Sequence, residues 1–286
     1  MNRQQTAKPS NNHQVEDSNR RFDVALARAF AGAIIFSLPM LMTMEMWYLG
    51  FYIDPLRLAL LLLLFFPLLI ALAYFSGFEE PQGWIDYILD AFVAYAVGFV
   101  TAGVILFVFG VLEFGMSLEE IIGKISIQVV PASIGAMLAQ SLLGGNNHAS
   151  EAPEAQGYWS ELLLMLIGAL FLSLNMAPTE EMVLISYQMT EWHAIGLALI
   201  SLTIMHAFVY AVEFKGQEAP LPEGTTMGSL FLRFTIVGYI IALLMSLYVL
   251  WTFGQIQGMA PVQILMATIV LGFPAAIGAA AARLIL

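Results

Sequence analysis

The chain has 286 residues, 60% of them apolar and only 11% charged, with a formal net charge of −11. An average soluble domain carries about 25% charged residues, so water is not the main solvent here. The acidic balance excludes nucleic acid as a partner, because phosphates call for clustered Lys and Arg, and the absence of cysteine excludes disulfides and thiolate chemistry.

Residues 1–22, Met1 to Phe22, are polar and rich in Asn, Gln and charge, and read as a disordered tail. They lack the early basic and apolar stretches of a cleavable signal. Apolar stretches follow at about 25–49, 55–76, 84–112, 118–143, 158–177, 190–214, 227–253 and 260–285. Each has roughly the twenty residues that a helix needs to cross the hydrocarbon layer. The breaks between them carry turn chemistry, as at Asp54-Pro55, Gly115-Met116-Ser117, the Gly144 linker and Gly258 to Pro261. The expected fold is all-α, a polytopic transmembrane bundle of eight spans. Arg3, Lys8, Arg20, Arg21 and Arg28 give the N-terminal side an excess of cations. The N-terminus is therefore expected in the cytoplasm, at the inner (plasma) membrane, and eight crossings return the C-terminus there beside Arg283. Arg57 and Lys124 then fall on the opposite side, against the trend.

An internal repeat underlies the eight spans. Gly32 to Met46 reads GAIIFSLPMLMTMEM and Gly168 to Met182 reads GALFLSLNMAPTEEM, with eight identities over fifteen ungapped positions. Further on, and after a shift of seven residues, Gly115-Met116 matches Gly258-Met259, and Pro131 to Ala136 matches Pro274 to Ala279. The chain divides into a first four-span copy over 23–144, a linker over 145–157 and a second copy over 158–286. An even number of spans per copy makes the two copies parallel, related by a two-fold axis along the membrane normal.

The repeat points to one polar patch in each copy. Glu45 and Glu181 are mates, with Glu180 beside the second. Around them stand Ser37, Pro39 and Thr43 in the first copy and Ser173, Asn175, Pro178 and Thr179 in the second. A carboxylate in a membrane costs several kcal/mol, of the order of 3, unless it reaches water, a partner or a proton. Pro39 and Pro178 are expected to bend or break their helices, with Thr179, Glu180 and Glu181 in the first turn of a new short helix after Pro178. If the axis brings the patches together, Glu45, Glu180, Glu181, Thr43, Thr179 and Asn175 offer oxygens to a hard cation such as Na⁺ or Ca²⁺. Alternatively, paired carboxylates share a proton. The other reading is that both glutamates face the headgroups and the repeat preserves helix packing.

Three further residues are secondary candidates. His206 lies inside the sixth span, as a proton relay or as a neutral imidazole bonded across helices. Asp90 matches Arg233 in the shifted register and offers a salt bridge or gate, with snorkelling to the interface as the alternative. The scattered histidines form no zinc pattern, and no phosphate-cradling loop or nucleophile elbow occurs, so the chain is not expected to be an enzyme.

At Ala177-Pro178-Thr179-Glu180-Glu181 the chain resembles a family of bacterial integral membrane proteins, common in cyanobacteria, that is known as a domain of unknown function. The resemblance runs from about Arg21 to the end and implies a membrane architecture. The first copy departs from the motif, with Leu41-Met42-Thr43-Met44-Glu45, so any site would be asymmetric. The residues favour a cation or proton channel or secondary transporter passing Glu45 and Glu180/Glu181, embedded in membrane lipid, with homo-oligomerisation open. The alternative is a non-transport module, an assembly factor or a lipid-handling protein, in which the glutamates are structural.

Overall fold

A computed structural model describes residues 11–76, 83–143, 158–216, 228 and 231–285. The linker at 145–157 and residues 1–10 of the expected tail lie outside them. The described chain is helical, in the order α1 (Asn11–Leu41), α2 (Met44–Tyr52), α3 (Pro55–Ser76), α4 (Trp84–Val108), α5 (Leu118–Leu143), α6 (Tyr158–Met176), α7 (Glu180–Gln188), α8 (Glu191–Gly216), a π-helical turn (Phe231–Ile236) running into α9 (Val237–Thr252), and α10 (Pro261–Ile285). Eight of these elements are long and apolar enough to cross a membrane.

Two expectations change. The part of the tail from Asn11 onward is helical, and the spacings Glu16 to Arg20 and Asp17 to Arg21 are the i, i+4 acid-to-base order that supports a helix in water. The first span also ends at Leu41, well short of 49, because the chain breaks at Met42–Thr43 and restarts as the nine-residue α2. Pro39 stays inside α1, since a helix tolerates the loss of one donor near its end when neighbouring groups satisfy the freed carbonyl.

Local chemistry sets the other boundaries. Pro55 and Pro261 open α3 and α10, where the missing N–H would have had no helical partner. Asp54 accepts hydrogen bonds from the Leu56 and Arg57 amides at 2.9 and 3.1 Å and caps α3. The turns after α4 and α9 are the same. Gly110 (φ 71°) and Gly254 (φ 74°) follow Phe109 and Phe253, and the next amides, of Val111 and Gln255, donate back to Leu106 and Leu250. These turns are 144 residues apart, one more than the 143 that relates Gly115 to Gly258.

Contacts at the helix ends assign each to a side. On the side where α1 enters, Tyr158 of α6 donates to the Arg233 carbonyl at 3.2 Å, and Arg283 of α10 pairs with Glu161 of α6 at 2.5 Å. On the far side lie α2 and α7, the start of α3 and the ends of α4 and α9. There Arg57 meets Trp251, Gln255 donates to the Pro178 carbonyl at 3.3 Å, and Gln263 donates to Ser186 at 2.9 Å.

Helix α5 is the central element of the first half, with 83% of its span buried, and α10 holds the same place in the second at 61%, against 17% for α8. Each packs on the first span of its half through a pair of glycines. A Cβ on Gly32 would lie 2.2 Å from the Gly135 carbonyl oxygen, and one on Gly168 would lie 2.2 Å from that of Gly278. Only glycine lets two backbones approach so closely. One apolar core runs through both halves, joining Leu49, Leu61 and Phe65 to Leu170, Leu174 and Val249, and Phe36 meets Phe171 edge to face at 5.6 Å.

Candidate functional site

The two breaks are built alike. At the end of α1, Leu38 accepts from the Met42 amide, Met40 from the Thr43 amide at 3.1 Å and from buried Gln128 at 3.2 Å, and Leu41 from the Trp47 indole at 2.8 Å; Pro39 accepts from the Thr43 hydroxyl. The end of α6 repeats the scheme, with Ala177 donating to Ser173 and the Thr179 amide and hydroxyl both reaching Met176. Asn175, which matches Pro39 in the sequence, bonds the Phe171 carbonyl through Nδ2 at 2.7 Å. The carbonyls that a helix end leaves open are thus largely closed from within the chain.

Thr43 and Thr179 are the N-cap residues of α2 and α7. Their hydroxyls donate backward to the preceding helix and do not project toward a common centre. Glu45, Glu180 and Glu181 occupy the first turns of the new helices, where the partial positive charge of the amide dipoles favours carboxylates. Glu180 and Glu181 are exposed and Glu45 is half-buried. Among the described residues no three His, Asp or Glu side chains gather closely enough to hold a metal ion. One link does cross the halves: the Tyr52 hydroxyl, at the end of α2, is pushed above its usual pKa first by partial burial and then by the Glu180 carboxylate. In the second patch Asn175 Oδ1 and Ser173 Oγ are buried and have no hydrogen-bond partner among the described residues.

The secondary candidates separate. His206 is half-buried, with Nδ1 3.0 Å from the Thr235 hydroxyl in the π-helical turn and its ring edge-on to Phe231 at 5.3 Å. That is the cross-helix bond. Arg233 is exposed in the same turn and Asp90 is half-exposed on α4.

Sequence reasoning missed the contact that Arg57 makes. From the first turn of α3, its Nη1 donates to the Trp251 carbonyl at the end of α9 at 2.7 Å, and the guanidinium lies 4.8 Å from the Trp251 ring centroid. With the Gln257 amide oriented to match, its oxygen accepts from Nη1 and Nη2 at 2.9 and 3.0 Å. Below this contact a groove of about 270 Å³ opens between the halves. Leu61, Leu64, Phe65 and Leu68 of α3 form one wall. Leu166 and Leu170 of α6 with Met245 and Tyr248 of α9 form the other. A shallower cavity of about 350 Å³ adjoins it along α9, sharing Tyr248 and reaching Trp251. The signal was legible as spacing: Arg57, Leu61, Leu64 and Leu68 fall on one helical face.

The far side is strongly acidic. It carries Glu45, Asp54, Glu113, Glu119, Glu120, Glu180, Glu181 and Glu191 against Arg57 and Lys124. Lys124 is already held by Glu120 at 2.7 Å and by the Val111 carbonyl at 3.3 Å.

A family model described as "Putative integral membrane protein (DUF2391)" matches residues 25–286. Comparison with curated proteins and with solved structures gives no match. The chain belongs to the DUF2391 family, a family of integral membrane proteins.

Proposed function

We propose that this member of the family is a lipid-holding membrane module, assembled from two parallel tandem copies, in which the paired glutamates start helices and do not line an ion path. The observation that carries this reading is the groove between α3, α6 and α9, whose walls are almost wholly apolar and which lies where the halves meet. In a bilayer such a groove is filled by hydrocarbon, and shape matching to an acyl chain gains contacts that a loosely packed surface lacks.

The two-copy arrangement is supported by features that occur twice at matching positions. These are the Gly32–Gly135 and Gly168–Gly278 crossings, the identical turns after α4 and α9, and a nine-residue helix after each first span. Both short helices lie on the far side, as parallel copies require. Cytoplasmic termini remain our assignment, resting on the cations around the first span.

Purification in a mild detergent tests the lipid reading. Mass spectrometry of the extracted protein should find bound phospholipid in wild type and much less in Leu64→Trp, where an indole fills the groove. Equal lipid content in both would overturn it.

Cation or proton transport is the second reading. Its support is the electrostatic link from Tyr52 to Glu180 across the halves, together with the Asn175 and Ser173 oxygens, which are unpartnered among the described residues. It requires protein-dependent flux that Glu45→Gln or Glu181→Gln abolishes.

A further inference from the structure

We infer that the groove selects a zwitterionic aminophospholipid, with the phosphate on Arg57 and the ammonium turned toward the acidic far face. This rests on the lipid-holding reading and names the class of lipid. Arg57, Leu61, Leu64 and Leu68 share one face of α3, so the guanidinium stands about one turn above the first groove residue, at the far-side mouth. Eleven residues separate Arg57 from Leu68, a depth of about 16 Å at 1.5 Å per residue. That is about half of the hydrocarbon thickness, one leaflet.

The mouth has donors to spare. The Trp251 carbonyl and Gln257 take three of the five guanidinium N–H groups, and the remaining two suit a phosphodiester oxygen. Tyr248 lines the groove and its shallower neighbour alike. Trp251 and Tyr248 lie stacked with centroids 6.3 Å apart, where interfacial aromatics meet headgroups.

Charge decides the headgroup. The eight far-side acids outnumber the two bases, and exposed Asp54 sits three residues before Arg57. A net-anionic headgroup meets that field unfavourably. A headgroup with a terminal ammonium satisfies the guanidinium and the carboxylates together.

The test is the thermal unfolding midpoint of the full chain in dodecyl maltoside, titrated with phosphatidylethanolamine, phosphatidylglycerol or diacylglycerol of identical acyl chains. Phosphatidylethanolamine should stabilise wild type at the lowest concentration. Arg57→Leu should weaken its half-saturation about fivefold, the order expected from losing one cation at a membrane surface. Phosphatidylglycerol acting as well as phosphatidylethanolamine, or diacylglycerol matching both, overturns the headgroup assignment and leaves the groove intact. If no lipid acts, or Leu64→Trp responds like wild type, the lipid-holding reading fails. A dimer in light scattering that Leu64→Trp breaks, with no lipid response, would make a second copy the occupant. The wild-type comparison needs no variant, so it stands even if Arg57→Leu does not fold.

Discussion

Arg57, in the first turn of α3, holds the last turn of α9 by its backbone: Nη1 lies 2.7 Å from the Trp251 carbonyl oxygen across 194 residues of chain. A helix C-terminus carries partial negative charge and open carbonyls, so a cation there ties the two halves together at the far side. Replacing Arg57 by Ala should lower stability by about 1.5–3 kcal/mol, the range for a hydrogen bond to a charged group. Lys should rescue only part, because an ammonium cannot reproduce the fork that meets Gln257. Thermal unfolding in detergent reads both variants.

The glycine crossings allow a sharper test. Gly32→Ala, Gly135→Ala, Gly168→Ala and Gly278→Ala each drive a methyl to within 2.4 Å of a facing backbone oxygen. Backbone on both sides cannot yield as a side chain can, so each should destabilise by about 1–3 kcal/mol or more. Gly196→Ala, whose methyl meets nothing within 4 Å, should be neutral or slightly stabilising, since Ala suits a helix interior better. Equal effects at Gly196 and Gly168 would contradict the packing described.

Tyr52 supplies a pH signature outside the spans. Its hydroxyl is held above the ordinary 10.0 by partial burial and by the Glu180 carboxylate, so the folded chain keeps this proton longer than the unfolded one. The resulting stabilisation is complete below about pH 10 and is lost as pH rises through the raised value. Glu180→Gln should bring the ionisation part of the way down and leave the burial effect. The tyrosinate difference spectrum between the chain and its Tyr52→Phe variant, with and without Glu180→Gln, measures the change.

Much of this architecture was legible because membrane spans are set by length and apolarity alone. The expected 84–112 and 158–177 stretches appear as Trp84–Val108 and Tyr158–Met176. The short helix after Pro178 was readable from Thr179-Glu180-Glu181, an N-cap followed by two acids. Its partner α2 was not. Pro39 drew attention to the wrong residue, and the chain from Met44 to Tyr52 is as apolar as the span before it. The setting of the glutamates was less legible for a related reason: sequence gives their span but not their depth or direction. The groove depends on which apolar faces of α3, α6 and α9 stay unpacked where the halves meet. A helix bounded by lipid on one side and protein on the other shows no polar stripe to reveal that.

Glu45→Gln, Glu180→Gln and Glu181→Gln should each cost no more than about 0.3–1 kcal/mol, the worth of a carboxylate at an exposed helix start. Larger losses would indicate a tighter role for these groups than starting α2 and α7.

Ion flux in reconstituted liposomes bears most directly on the claim that these glutamates start helices and do not line a path. Wild type, Glu45→Gln and Glu181→Gln should all leave Na⁺, K⁺, Ca²⁺ and H⁺ gradients decaying at the rate of protein-free vesicles. A flux that appears with wild type and disappears with either substitution would contradict the account.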